Sequence, residues 1–245
     1  MISETTCLLL TSSIVSISAW LYYAQRLDKK KIELHYKILI AQTLGHAAAL
    51  RDHETGAHNF RVTYIAACFG EDLGLDRGTL QTLMKGAFLH DIGKIGIKDS
   101  ILLKNGALDE KEYKEMQLHP ILGKELLENM SWFEGAEAVV MHHHERYDGT
   151  GYPGKLKADE IPLVARIFTI IDVFDALLNV RPYKQALSLE ETLQILKDGA
   201  STHFDPKLLK IFLLNAPKYT QDISNKTEKE LQSMLEMKRK KIFGI

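Results

Sequence analysis

Histidines set beside carboxylates at the ends of apolar runs constrain this chain more than any other feature. They crowd between His46 and His144. The run Ala87-Phe88-Leu89 leads straight into His90-Asp91-Ile92-Gly93-Lys94, which places the His–Asp pair at the end of a buried helix. Unpaired buried charge is strongly unfavourable, so the pair needs either a metal ion or a structural hydrogen bond to satisfy it. Glu54 and His58 stand four positions apart. On a helix they share one face, directed at a metal cluster or at water as an ordinary surface pair. In Met141-His142-His143-His144-Glu145, successive helical side chains turn by about 100°, so two of the three imidazoles are realistic partners for one site. His119, followed by Pro120, and Asp172, inside the apolar stretch Ile171–Leu177, add an imidazole and a carboxylate. Taken singly, each also reads as a core hydrogen-bonding residue. Imidazole with carboxylate suits iron, manganese, zinc or nickel, and the lack of nearby thiolates argues against a structural zinc site.

The 245 residues suffice for a short accessory segment plus one substantial domain. A formal net charge of -1 argues against a broad basic field of the kind that grips polymeric nucleic acid, so phosphate recognition is expected to be local. Cys7 and Cys68 form no CxxC pair, so no disulfide framework or zinc ribbon is expected, and a reducing compartment fits. Apolar residues recur at helical intervals through Ile32, Ile38, Leu39, Leu44 and Ala48, and again in Val62–Leu73, Leu80–Leu89 and Leu189–Leu196. The chain therefore reads as all-α. Ile161–Phe174 is rich in branched residues and by propensity alone fits a buried strand as well as a helix. Asn105-Gly106 and Asp148–Gly154 mark loops through glycines. Thr227-Glu228-Lys229-Glu230 has the form of a capping box opening a charged, solvated closing helix.

Residues Thr5 to Ala24 carry no charge and match the length of a bilayer-spanning helix, although Ser and Thr dilute their hydropathy. Trp20, Tyr22 and Tyr23 sit where an interfacial belt would lie, and Arg26, Lys29, Lys30 and Lys31 follow. The expectation is a single-pass anchor over residues 1–26 in a cytoplasmic (inner) membrane, a cytoplasmic domain over 27–215, and a charged tail over 216–245. A cleaved signal peptide is the rival, but it would want a basic stretch where only Glu4 is charged, and a buried or interfacial amphipathic helix is the other alternative.

In order along the chain stand Arg51-Asp52-His53-Glu54-Thr55-Gly56-Ala57-His58, His90-Asp91-Ile92-Gly93-Lys94, His119-Pro120 and His143-His144-Glu145. Asp148-Gly149-Thr150-Gly151-Tyr152-Pro153, Asp172, Arg181-Pro182-Tyr183-Lys184 and His203-Phe204-Asp205-Pro206 complete the series. This ordered set resembles the HD-GYP family, a subdivision of the HD superfamily of metal-dependent phosphohydrolases. Lys98 and Asn105 depart from the family's usual prolines, in loops away from the ligands. The resemblance implies an HD-superfamily helical domain with a Gly-Tyr-Pro loop, and it makes Ile161–Phe174 a helix. It implies that His58, His90, Asp91, His119, His143, His144 and Asp172 ligate two divalent cations of the iron or manganese type, with Asp91 bridging and Glu54 extending the centre to a third. Lys94 would contact the reacting phosphate, Arg181 and Lys184 would hold the substrate's phosphates, and Gly151 and Tyr152 would line the substrate. His142 is left as a bystander. The implied activity is hydrolysis of cyclic di-GMP to pGpG, and onward to GMP, through a metal-bridged hydroxide. The alternatives are another cyclic dinucleotide as substrate, or a non-catalytic sensor. Diguanylate cyclase (GGDEF-type) domains are the implied partners of the Gly-Tyr-Pro loop, and a homodimer remains open.

Overall fold

The computed structural model describes residues 4–51, 56–179 and 185–244. These divide into two compact units, residues up to Ile40 and residues 41–244. The first lies within helix α1 (Glu4–Arg51), where Lys37 and Glu33 pair across one turn at 2.5 Å. The spanning helix expected over residues 5–24 is not supported, because among the described residues no helix is long and apolar enough to cross a membrane. The hydroxyl side chains scattered through that run lower its hydropathy.

The second unit is helical. Among its described residues there is no β-strand, only an isolated bridge between Ala200 and Phe204. Its centre is α8 (Leu163–Leu178), packed on α2 (Gly56–Asp72) and α3 (Arg77–Leu89). Ala165, Ile167, Phe168, Ile170, Ile171 and Phe174 of α8 are all fully buried. A helix apolar on nearly every side belongs in a core, which explains why its composition mimics a strand. Phe69 of α2 and Phe174 of α8 each meet the ring of Phe212 edge-on at 5.0 Å, drawing α10 (Pro206–Ile223), which follows α9 (Leu189–Asp198), onto both. Tyr219 of α10 donates its hydroxyl to Asp72 Oδ2 at 2.6 Å.

The capping box at Thr227 forms as expected, with Glu230 accepting from the Thr227 amide and the Thr227 hydroxyl accepting from the Glu230 amide. The helix it opens, α11 (Glu228–Arg239), is not a solvated appendage. Leu231 and Leu235 are buried, and Lys238 and Lys241 converge on Glu71 of α2 at 2.5 and 2.8 Å. The high charge of this segment hides an i,i+4 apolar pair that docks it. A final turn, Lys240–Gly244, buries Ile242 and Phe243, and the Ile242 carbonyl accepts from Arg77 and Gln81 of α3.

Between α3 and α6 (His119–Leu127) the chain makes the 3-10 turn Ile92–Gly96, then α4 (Asp99–Leu102) and α5 (Glu110–Met116). Arg51 fastens this turn by donating to the carbonyls of Lys94, Ile95 and Ile97 and to the Asp99 carboxylate. Gly93 packs so tightly on α6 that a Cβ there would overlap the His119 carbonyl and the Gly123 amide. The turn carrying Asp91 is thereby pressed against the helix carrying His119. Gly93→Ala should lower unfolding stability by about 3 kcal/mol, the upper range for overpacking, as read from the midpoint of a urea titration. An unchanged midpoint would show that this contact yields easily.

Candidate metal centre

Seven described side chains from five places in the chain converge: His58 on α2, His90 and Asp91 after α3, His119 on α6, His143 and His144 just after α7 (Glu137–His142), and Asp172 on α8. They form two groups whose donor atoms lie within 4.8 Å of one another: His58, His90 and Asp172 in one, and Asp91, His119, His143 and His144 in the other. Asp91 spans both. Its Oδ2 lies 3.1 Å from His90 Nε2, while its Oδ1 lies 3.3 Å from His119 Nε2 and 3.8 Å from His143 Nε2. Lys94 Nζ pairs with Oδ2 at 2.8 Å.

The rings are aimed. His90 Nδ1 meets the Ala87 carbonyl at 2.9 Å, His119 Nδ1 the Met116 carbonyl at 2.8 Å, and His143 Nδ1 the Val140 carbonyl at 2.9 Å. A carbonyl only accepts, so each Nδ1 is the donor, and a neutral ring held this way leaves its lone pair on Nε2. Nε2 atoms then face each other at 3.4 Å, His58 against His90 and His119 against His143. Facing lone pairs repel unless a proton or a metal cation lies between them, so the donor set fits divalent cations with imidazole and carboxylate preference.

The local charges agree with that fit. Burial pushes His119 down to about 3, and burial, reinforced by His143 and His119, holds His144 well below the usual imidazole range, so both are neutral donors. Burial opposes ionisation of Asp91, but Lys94 and His90 outweigh it and keep the carboxyl well below the usual range. Burial likewise disfavours charge on His90, yet Asp91 and Asp172 raise it to about 9. Cation binding would displace that proton.

Glu145 is buried and accepts from the backbone amides of Gly154 at 2.6 Å and Leu156 at 3.1 Å, holding the loop Asp148–Gly154 over the centre. Gly149 adopts a φ of 85°, a conformation that favours glycine. Gly151 meets a different demand, since a Cβ there would overlap the His144 carbonyl and the Arg146 amide. Tyr152 stacks on the His144 ring with centroids 4.8 Å apart. The other side of the loop is tied to the His203 turn, where Tyr147 and Asp148 donate to the His203 and Thr202 carbonyls.

Glu54, Arg181 and Lys184 lie outside the described residues. His142 belongs to neither donor group and has Glu145 as its acidic neighbour at 3.8 Å. Sequence reasoning assigned no role to Asp175, which accepts from His58 Nδ1 at 2.8 Å, nor to Arg61, which donates to both Asp175 oxygens, nor to Glu145 as the loop's anchor. The available signal for Asp175 was its place three residues after Asp172 in an apolar helix, one turn along the same face. Glu145→Ala should cost about 2 kcal/mol, the range for hydrogen bonds to a charged acceptor, and should speed hydrogen exchange at Gly154 and Leu156. Unaltered exchange at those amides would show that the loop is held by other contacts.

A family model described as an HD domain matches residues 42–208. A "Probable cyclic di-GMP phosphodiesterase" of Vibrio cholerae is 38% identical over 208 residues, 78% of this chain and 47% of that protein. A "3'3'-cGAMP-specific phosphodiesterase 3" of the same organism is 35% identical, over 76% of this chain and 41% of its own length. The chain thus spans about half the length of the curated relatives it matches. The crystal structure of a Vibrio cholerae cyclic GMP-AMP-specific phosphodiesterase superposes with a TM-score of 0.63 at 19% identity, covering 83% of this chain and 54% of that one, which shows the shared fold. With the model match covering most of its length and the His–Asp donor set in place, the chain belongs to the HD domain family.

Proposed function

We propose that this chain is a metal-dependent phosphodiesterase that hydrolyses cyclic di-GMP to linear pGpG and, by a second cut, to GMP. The observation that carries the reading is Asp91, whose two oxygens each face a different donor group. His58, His90 and Asp172 would hold one cation and His119, His143 and His144 the other, with Asp91 shared and Glu54 available to a third. Bound there, divalent cations of the iron or manganese type supply Lewis acidity toward a phosphoryl oxygen and lower the pKa of an attacking water.

The chain's own residues orient and screen the phosphodiester. Lys94 brings a cation to 2.8 Å from Asp91, where it meets non-bridging oxygens as charge develops on them. Arg181 and Lys184 supply further positive charge in a chain with no general basic field. The loop with Gly151 and Tyr152 covers the His144 side of the centre. Water adds to phosphorus, the bond to the 3′ ribose oxygen breaks, and the products are a phosphomonoester and a 3′ hydroxyl. The exposed residues of this loop and of the segment that follows it, Thr150, Gly154, Lys155 and Lys157, are the surface offered to a GGDEF-type cyclase domain. A related cyclic dinucleotide is the second reading, favoured by the 35% identity to a relative whose name gives 3'3'-cGAMP as its substrate.

Asp91→Ala should lower turnover by more than about 100-fold, the upper range for a residue that merely orients a ligand, and should reduce bound metal. Chromatography of products with metal analysis of the same sample checks both; near-normal turnover with full metal content would sink the proposal. Lys94→Met should retain its metal while kcat falls, which separates charge stabilisation from cation binding. Cyclic di-GMP and 3'3'-cGAMP assayed side by side should give the larger kcat/KM for cyclic di-GMP; the reverse order selects the second reading.

A further inference from the structure

We infer that Asp175, clamped by Arg61, is a positioning residue that sets the cation affinity of one donor group, that of His58, His90 and Asp172, and leaves the other group untouched. The inference rests on the proposed reading that these groups hold cations. Asp175 lies on α8 with its carboxylate almost wholly enclosed, 1% exposed. Arg61 Nε donates to Oδ1 at 2.7 Å and Arg61 Nη2 to Oδ2 at 2.8 Å, a two-pronged pair. Asn179 Nδ2 donates to Oδ1 at 3.1 Å, and His58 Nδ1 meets Oδ2 at 2.8 Å.

A guanidinium stays charged and only donates, so the carboxylate it grips is ionised and only accepts. His58 Nδ1 must therefore carry the hydrogen. The lone pair is left on Nε2, which lies 3.4 Å from His90 Nε2 and 3.7 Å from Asp172 Oδ1. Asp172 and Asp175, one turn apart on α8, thus address the two nitrogens of a single ring. The contrast within the centre makes the effect selective. His90, His119 and His143 each give their Nδ1 hydrogen to a neutral backbone carbonyl, whereas His58 gives its own to a full negative charge. A carboxylate behind an imidazole makes it a stronger donor and fixes its orientation.

The test titrates the metal-stripped full chain with Mn(II) without oxygen, counting free Mn(II) by electron paramagnetic resonance. It compares wild type with Asp175→Asn, Arg61→Met and Arg61→Lys, each first shown to be folded by circular dichroism. The expected result is that Asp175→Asn and Arg61→Met weaken one tight equivalent by about 10- to 100-fold and leave another unchanged, with Arg61→Lys recovering part of the loss. Equal affinity for every equivalent in the folded variants, or equal weakening of all of them, overturns the inference while the proposed function stands. A wild-type chain that binds no Mn(II) overturns both. Should the variants fail to fold, 15N-histidine spectra of the metal-free wild type decide the matter: His58 protonated at Nδ1 is the expected form, and the Nε2 tautomer overturns the inference.

Discussion

The carboxylate of Asp91 is the constraint around which the centre is arranged. One of its oxygens is committed to His90 and Lys94 and the other to His119 and His143, so a single side chain fixes the separation of two donor groups brought in by different helices. Burial makes its charge expensive, and the surrounding basic groups recover that cost only because they are all within reach at once. The turn that carries it is correspondingly rigid. Arg51 holds three carbonyls downstream of Asp91, and Gly93 allows the backbone to lie directly against α6.

Much of the centre was legible in the sequence because its residues are chemically conspicuous where they stand. A His–Asp pair ending an apolar run, and an aspartate inside Ile171–Leu177, both conflict with burial unless something compensates them, and the structure brings these same residues together. Of the three successive histidines, His142 closes α7 and falls outside both groups, whereas His143 and His144 follow the helix and join one of them. Less legible were residues whose partners are distant. Asp175 looks like one more polar interruption of α8 until His58 and Arg61, more than a hundred positions earlier, are seen on either side of it. Glu145 stands in a run of polar residues, yet the donors to its carboxylate lie ahead in the loop, at the amides of Gly154 and Leu156.

The fold shows the same division. The composition of α8 left helix and strand open because a helix buried on nearly every side has no polar stripe to reveal its period. The closing helix misled in the opposite sense, since its many charges masked the Leu231–Leu235 pair that seats it, and two of those charges serve Glu71 on α2. The apolar N-terminal run has the length but not the unbroken hydropathy of a span, and length alone was a poor guide there.

Three of the histidines take their aim from their immediate neighbourhood. Ala87, Met116 and Val140, the carbonyls that receive hydrogens from His90, His119 and His143, each lie three residues back along the chain. These rings can therefore be oriented as soon as a single turn of backbone forms, before distant parts of the molecule meet. His58 differs, because its acceptor is 117 positions away on α8. During folding, then, His90, His119 and His143 can be faced by local structure alone, whereas His58 is faced only when α2 and α8 close on one another. His58 is in this sense the ring that registers the docking of α2 against α8.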